Sequence, residues 1–510
     1  MKQLFAKKPL AVLLEELHGE NRLRRILGPV QLTSLGVGCI IGTGIFVLTG
    51  AAAHDKSGPA LILSFAVSGL ACIFAALCYA EFASLIPVAG SAYTYAYATL
   101  GELLAWIIGW DLVLEYGVAS ATVAHGWSQY FQNLLSIWGL GLPESLRNAP
   151  FDFDPVTGSL YSTGRYCDLV AVLIAAIITG ILVKGIRESA SFNAAMVITK
   201  LIIVVFVIVV GAFYINPDNW QPFAPFGYTG ISFFGHTILG QQGAAGEPLG
   251  MVAGAAIIFF AYIGFDSVST HAEEARNPRR DVPIGIIASL LICTVLYAAV
   301  AGVLTGMVKY NQLDIDAPVA KAFEQVGLHW AQGIIAVGAI TGITSVLLVL
   351  MLSQPRVLLA MARDKLLPPS FFGDVHPRFR TPWKSTILTG CFVATMAALL
   401  PLRVLAELVN IGTLLAFTIV CAAVLIMRKT HPDAERPFRA PLVPFVPIMG
   451  ILMCILLMFS LPWQNWVRLG VWLAIGFIIY FVYGRRHSAL NPRVAAKAAA
   501  SGQTRTTKSV

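Results

Sequence analysis

The chain has 510 residues, of which 57% are hydrophobic and only 12% charged, against roughly 45–50% and about 25% in an ordinary soluble protein. This composition excludes a soluble globular fold, and the net charge of +8 comes with no basic stretch interleaved with aromatics, which excludes a nucleic-acid surface. The eight cysteines form no CxxC and no Cys/His cluster of metal-ligand spacing, so they are read as small packing residues, with neither a metal site nor a disulfide.

Residues 1–29 are too charged, and their apolar part too short, for a cleavable secretory signal; they are expected to form a cytoplasmic amphipathic lead-in. Twelve apolar runs of crossing length then follow, at about 20 residues per crossing. They cover roughly 30–53, 58–85, 103–130, 166–184, 191–215, 249–271, 283–307, 330–352, 384–401, 404–427, 444–461 and 464–484. With the N-terminus inside, 27 of the 35 basic residues fall in cytoplasmic segments, seven fall outside, and Lys200 remains within a span. Positive charge is retained on the cytoplasmic side, so both termini are expected there. The small, basic tail 485–510 is expected to be disordered.

The first run contains "GVGCIIGTGIF", Gly36 to Phe46. Non-helical backbone at membrane depth is tolerated only against protein or an aqueous cavity. Glycines let a ligand approach the main chain, and a helix starting after a break offers free N–H groups to a carboxylate. The alternative is close helix packing, for which Gly38 and Gly42 have the required small-xxx-small spacing. The sixth run is interrupted too: "IIFFAYIGFDSVST", Ile257 to Thr270, contains Gly264 and Asp266. Runs one and six are five apart and cross in opposite directions, the relation of inverted-topology repeats whose broken helices surround a transporter's central site. A zwitterion with carboxylate and amine some 2.5 Å apart fits both breaks, and an alpha-amino acid is the simplest such molecule.

The sequence resembles the amino acid-polyamine-organocation superfamily of secondary transporters, most closely its bacterial branch related to the cationic amino acid transporters. The resemblance spans about residues 25 to 485. It is carried by "GVGCIIGTGIFVLTG", "YAEFASLIPVAGSAYTYAYATLGE", "NWQPFAPFG", "FFAYIGFDSVSTHAEEARNPRRDVPIGI" and "PRVLLAMARDKLLP". It implies an all-α membrane protein of twelve transmembrane helices. Two inverted five-helix repeats, at 30–215 and 249–428, are separated by an extracellular loop at 216–248 and followed by a cytoplasmic loop and two further helices at 429–484. The resemblance also implies that the substrate carboxylate sits at Thr43 and Gly44, beside Ile40, Ile41 and Gly42, and that the amine meets carbonyls of Phe260, Ala261 and Ile263.

Lys200 lies about 15 Å along its helix from the cytoplasmic end, too deep to snorkel. Such groups cost about 2.5 to 3.5 kcal/mol to insert and mark ion or proton pathways. In related proton-coupled members a lysine here stands where sodium-coupled relatives bind a cation, and a desolvated ammonium exchanges protons. Lys200 is therefore expected to couple proton to substrate movement by bonding to carbonyls of the first broken run. Glu115 and Asp266 are the other deep acids, which the resemblance places close to the lysine; proton relay and structural pairing both stand as readings. Asp111, one turn before Glu115, shares those readings, and His125 is expected to be a satisfied histidine. For Glu81 and the loop "EEARNPRRDVP" a solvated surface and a gate or stabilising role both stay open.

No HExxH, GxSxG or phosphate-binding glycine-lysine motif supports a membrane enzyme. An enclosed site between broken helices disfavours a channel's continuous pore, and neither tail supplies a sensor's output region. The expected function is proton-coupled symport of small neutral amino acids such as alanine, without a cofactor, in a bacterial inner membrane. Cationic substrates and exchange are the alternatives, and a small accessory membrane subunit is left open. Pocket side chains are expected from spans 3, 6, 8 and 10, with Leu350 on span 8 limiting substrate size.

Overall fold

The computed structural model describes residues 2–8, 27–86, 91–154, 159–185, 190–233, 235–244 and 246–491. Most of the expected lead-in and the tail beyond residue 491 lie outside the described residues. Where lipid replaces water, the backbone must satisfy its own hydrogen bonds, and the apolar runs accordingly form helix. Among the described residues eight helical stretches are long and apolar enough to cross a membrane: Gly44–Leu85, Glu102–Ile137, Ala195–Ala212, Met251–Ser269, Pro278–Met307, His329–Arg363, Leu402–Thr430 and Trp463–His487. Shorter apolar helices lie at Pro29–Ile40, Leu169–Lys184, Trp383–Leu399 and Phe445–Phe459. Every one of the twelve apolar runs thus carries helix. Within Gly44–Leu85 the chain turns at Gly58, whose φ of +60° favours glycine.

The helices that position the site are α1 (Pro29–Ile40), α2 (Leu61–Leu85), α3 (Ser91–Thr99), α4 (Glu102–Ile137), α5 (Leu169–Lys184), α6 (Ala190–Ala212), α7 (Met251–Ile258), α8 (Pro278–Met307), α9 (Pro318–Gln325), α10 (His329–Arg363), α11 (Trp383–Leu399) and α12 (Leu402–Thr430). Their starts are legible. Pro29 and Pro278 occupy first-turn positions where a missing N–H costs nothing, and Asp168 caps α5 by accepting from the Ala171 N–H at 3.0 Å.

The two halves interlock. Helix α2 packs along α8, α4 along α10 and α5 along α11, so runs two, three and four each meet the run five places later. Such pairing is the pattern expected of a repeated five-run unit. Both described ends of the chain gather at one face, called here the terminal face: Lys8 meets Asp364 at 3.1 Å, and Ser488 donates to Glu102. The opposite face carries an antiparallel hairpin, Phe151–Asp154 with Ser159–Ser162, and two small sheets between Ile231 and Leu249.

Candidate functional site

The site is built where two helices fail to continue. Helix α1 ends at Ile40; Ile41 is extended, at φ −73° and ψ 105°, and helix resumes as a wide turn over Gly44–Leu48. Helix α7 likewise gives way to a tight turn over Phe259–Tyr262, with Ile263 extended at φ −59° and ψ 137°. Gly264 follows with a φ of +108°, a conformation that L side chains rarely adopt.

The breaks lie against one another. An ideal Cβ on Gly44 would be 2.2 Å from the Ala261 Cα, and one on Gly264 would be 3.1 Å from the Cys39 carbonyl oxygen. Gly38 and Gly42 also serve close packing, since a Cβ there would be 2.8 Å from a Val197 methyl and 2.7 Å from a Val346 methyl. The two readings of this glycine-rich run are therefore both realised, at different residues.

Between the breaks lies a small cavity. It is lined by Cys39, Ile40, Gly42, Thr43 and Gly44 from the first break, Phe260 and Ile263 from the second, Ala119 and Val123 of α4, and Val346 and Leu350 of α10. Its free volume for the centre of a water-sized sphere is about 10 Å³, room for roughly one water molecule. None of these lining residues is charged. Among the described residues the buried Thr43 hydroxyl has no hydrogen-bond partner, a donor and acceptor at the restart of the helix.

Seven of the nine expected substrate residues line this cavity; Ile41 and Ala261 do not. The Ile41 carbonyl turns to Lys200. The Ala261 carbonyl receives the Tyr297 hydroxyl at 3.1 Å, and the same hydroxyl lies 2.7 Å from the Ile40 carbonyl. Span 10, helix α12, contributes no lining residue here. Its Asn410 instead donates to the Ala256 and Ile257 carbonyls, at 2.9 and 2.8 Å, where the end of α7 leaves acceptors without helical donors.

Lys200 is fully buried. Its ammonium donates to the Gly38 carbonyl, to the Ile41 carbonyl at 3.1 Å and to the Ser345 hydroxyl at 2.7 Å. Three donors meet three oxygens, which is the full capacity of the group. Two of those oxygens belong to the broken run, as expected from sequence. Glu115 and Asp266 make no direct ion pair with it: among the described residues no carboxylate oxygen lies within 4.0 Å of the ammonium. The acids form their own buried cluster. Asp266 accepts from the Tyr116 hydroxyl at 2.7 Å, Glu115 reaches Thr413 of α12, and both Asp111 oxygens and Glu115 Oε1 have no hydrogen-bond partner. Lys200 comes to the first break from α6, whereas Glu115 of α4 reaches α12 and Asp266 follows the second break.

His125 lies beside Asp168, with Nδ1 3.0 Å from Oδ2, and its Nε2 is 3.3 Å from Gln129 Nε2. Glu81 is no solvated residue: its carboxylate takes Arg428 at 3.0 and 2.7 Å, Arg436 at 3.3 Å and the Ala440 N–H at 2.8 Å. In the loop after the second break, the Glu274 carbonyl accepts from the Leu27 N–H at 3.0 Å and the Leu27 carbonyl from the Arg276 N–H at 2.8 Å. That bridge ties the approach to α1 to the exit of the sixth run. Tyr297, Ser345 and Asn410 escaped the sequence reading. The available signal was a polar tip inside an apolar helix, which when buried must find a partner.

The sequence model of the amino acid permease family matches residues 27–483. The chain belongs to that family. A methylthioribose transporter of Bacillus subtilis is 47% identical to this permease over 96% of the chain and 100% of its own length. A branched-chain amino acid permease, BcaP, of the same organism is also 47% identical, over 96% and 99%. The vacuolar cationic amino acid transporter 4 of Arabidopsis thaliana is 33% identical over 93% and 94%. The permease is thus an integral, multi-pass membrane protein, and these relationships point to transport rather than to catalysis.

Proposed function

We propose that this permease is a secondary active transporter that moves small neutral L-amino acids such as alanine together with protons, by alternating access. The carrying observation is the uncharged cavity pinched between two broken helices, one of which is tethered by its carbonyls to the buried Lys200. The substrate carboxylate meets the Thr43 hydroxyl and the main chain around Gly42 to Gly44. Its ammonium takes the carbonyls of Phe260, Ala261 and Ile263, so Tyr297 cedes Ala261 and keeps Ile40. The cavity has room for about one water, so binding requires the breaks to part, and the hydrogen bonds that the substrate makes to both breaks offset the packing given up between them.

Lys200 is the coupling group in this reading. Charged, it holds Gly38 and Ile41; neutral, it has fewer protons to donate and frees the first break to move. No cofactor takes part, and the proton is the coupling ion. Both termini face the cytoplasm of a bacterial inner membrane, as the distribution of basic residues supports. Glu115 and Asp266 form a separate acid cluster, for which the relay role requires water between it and the lysine.

A second reading, branched-chain substrates, draws support from the Val123, Ile263, Val346 and Leu350 lining and from the name of one relative. A cationic side chain would meet no carboxylate in this cavity. The test is uptake of labelled L-alanine into proteoliposomes in sodium-free buffer, with and without an inward proton gradient, with the other amino acids as competitors. Gradient-dependent accumulation supports symport, counterflow alone means exchange, and competition by leucine or arginine without alanine movement reassigns the substrate.

A further inference from the structure

A groove far from the substrate cavity opens on the terminal face, between the start of α8 and the segment that follows α12. Its volume is about 580 Å³. One end is cationic: Arg279 and Arg280 stand at its mouth beside Asn277. Among the described residues the Arg279 side chain is engaged only by Glu435, at 3.4 Å, in a pair whose side chains are 57% and 80% exposed. Such an exposed pair contributes little and exchanges readily. The Arg280 guanidinium has no ion-pair or hydrogen-bond partner among the described residues, while its backbone N–H donates to the Asn277 carbonyl at 3.0 Å.

The rest of the groove is apolar. Ile284, Ile287, Ala288 and Leu291 line it from α8, at positions spaced three, four and seven apart, which form one stripe along a helix. From Ile284 to Leu291 the stripe runs about 10 Å along the axis, away from the arginines and into the apolar span. The facing wall is Pro437 and Phe438. That wall is held: the Phe438 N–H donates to Ser84 Oγ at 3.3 Å, and Glu81 fixes Arg436 and the Ala440 N–H on either side of it.

We propose that this groove binds one anionic phospholipid, its phosphate taken by Arg279 and Arg280 and an acyl chain laid along the Ile284 to Leu291 stripe. The order of the two chemistries decides the occupant. A soluble anion has no use for the apolar floor, and a neutral or zwitterionic lipid gains less from two adjacent guanidiniums, whereas basic pockets at the membrane boundary select anionic head groups. Asp281, the nearest acid on α8, is turned inward, accepting from the Asn277 N–H at 3.2 Å, and leaves the mouth cationic. The bound lipid lies against the loop that the Leu27 bridge ties to the first broken run, so head-group chemistry is linked to the mobility of that run.

The test is native mass spectrometry of the purified permease with phosphatidylglycerol and with phosphatidylcholine, which reads lipid retention independently of any transported substrate. The wild type is expected to retain one phosphatidylglycerol preferentially. The exposed double variant Arg279→Gln/Arg280→Gln should lose at least about tenfold of that preference, the order expected for two arginines near a membrane surface. Ala288→Trp, which keeps both charges and fills the floor, should lower retention as well. Equal retention of the two lipids, or a preference unchanged in the double variant, overturns the site; retention unchanged in Ala288→Trp overturns the assignment of the acyl chain.

Discussion

Gly44 and Ala261 mark the point where the two broken helices touch, with no room between them for even one methyl group. In Gly44→Ala the added Cβ forces the breaks apart, and overpacking of this kind costs about 1–3 kcal/mol. The expected result is a lower melting temperature in detergent together with loss of alanine uptake. A variant that melts and transports like the wild type would show that the breaks separate freely at this point.

Tyr297 joins the same two segments through one hydroxyl. Tyr297→Phe keeps the ring, which stacks at an angle against Tyr262 and Phe65, and leaves the Ile40 carbonyl without its donor. Loss of such a buried partner costs about 1–3 kcal/mol. Because the substrate ammonium competes for Ala261, the variant should favour parted breaks: apparent alanine affinity should rise or hold while the maximal rate falls. An equal loss in both parameters would make Tyr297 a purely structural residue.

Lys200→Ala removes three hydrogen bonds and the exchangeable proton at once. Uptake driven by an inward proton gradient should vanish, whereas binding of alanine, read by thermal shift, should survive in weakened form. Proton-driven uptake persisting unchanged in this protein removes Lys200 from the coupling mechanism.

Leu350 closes one wall of the cavity from α10. Leu350→Ser should admit larger amino acids, seen as competition for alanine uptake by leucine or arginine that the wild type resists. If no larger substrate gains, the wall that sets substrate size lies elsewhere, with Val346 and Val123 the next to test.

Glu81 holds two arginines and a backbone N–H from an almost fully buried position. Glu81→Gln keeps the shape but strands cationic charge, and breaking a buried pair costs about 3 kcal/mol or more. The apparent melting temperature should drop well beyond that of Arg279→Gln, whose partner is exposed. Similar values for the two variants would mean that the Glu81 knot opens in the membrane-embedded protein.

The breaks were legible because glycine density inside an apolar run conflicts with helix, and conflict of that kind has few physical outcomes at membrane depth. Lys200 was legible for the same reason: a charge where none is tolerated alone. The partners of the acids were not legible, since depth along a helix says nothing about which side of it a carboxylate faces. Glu115 and Lys200 share no hydrogen-bond partner among the described residues. Tyr297 and Asn410 were missed because each is an ordinary residue in an apolar helix until the carbonyls it serves come into view.

The oxygens around Lys200 form a cradle for an ion that is part of the chain. On the proposed mechanism this tether limits energy conversion, because one side chain hands over at most one proton per cycle. Moving one charge through 100 mV yields about 2.3 kcal/mol, and each 1.4 kcal/mol is a factor of ten in concentration. At equal pH on both sides a neutral substrate therefore reaches at most about 40-fold accumulation per 100 mV, however much sodium or potassium is present. A steeper ratio measured at a clamped potential with equal pH on both sides would require a second proton carrier, and the buried carboxyls of Asp111 and Glu115 are where it would be sought.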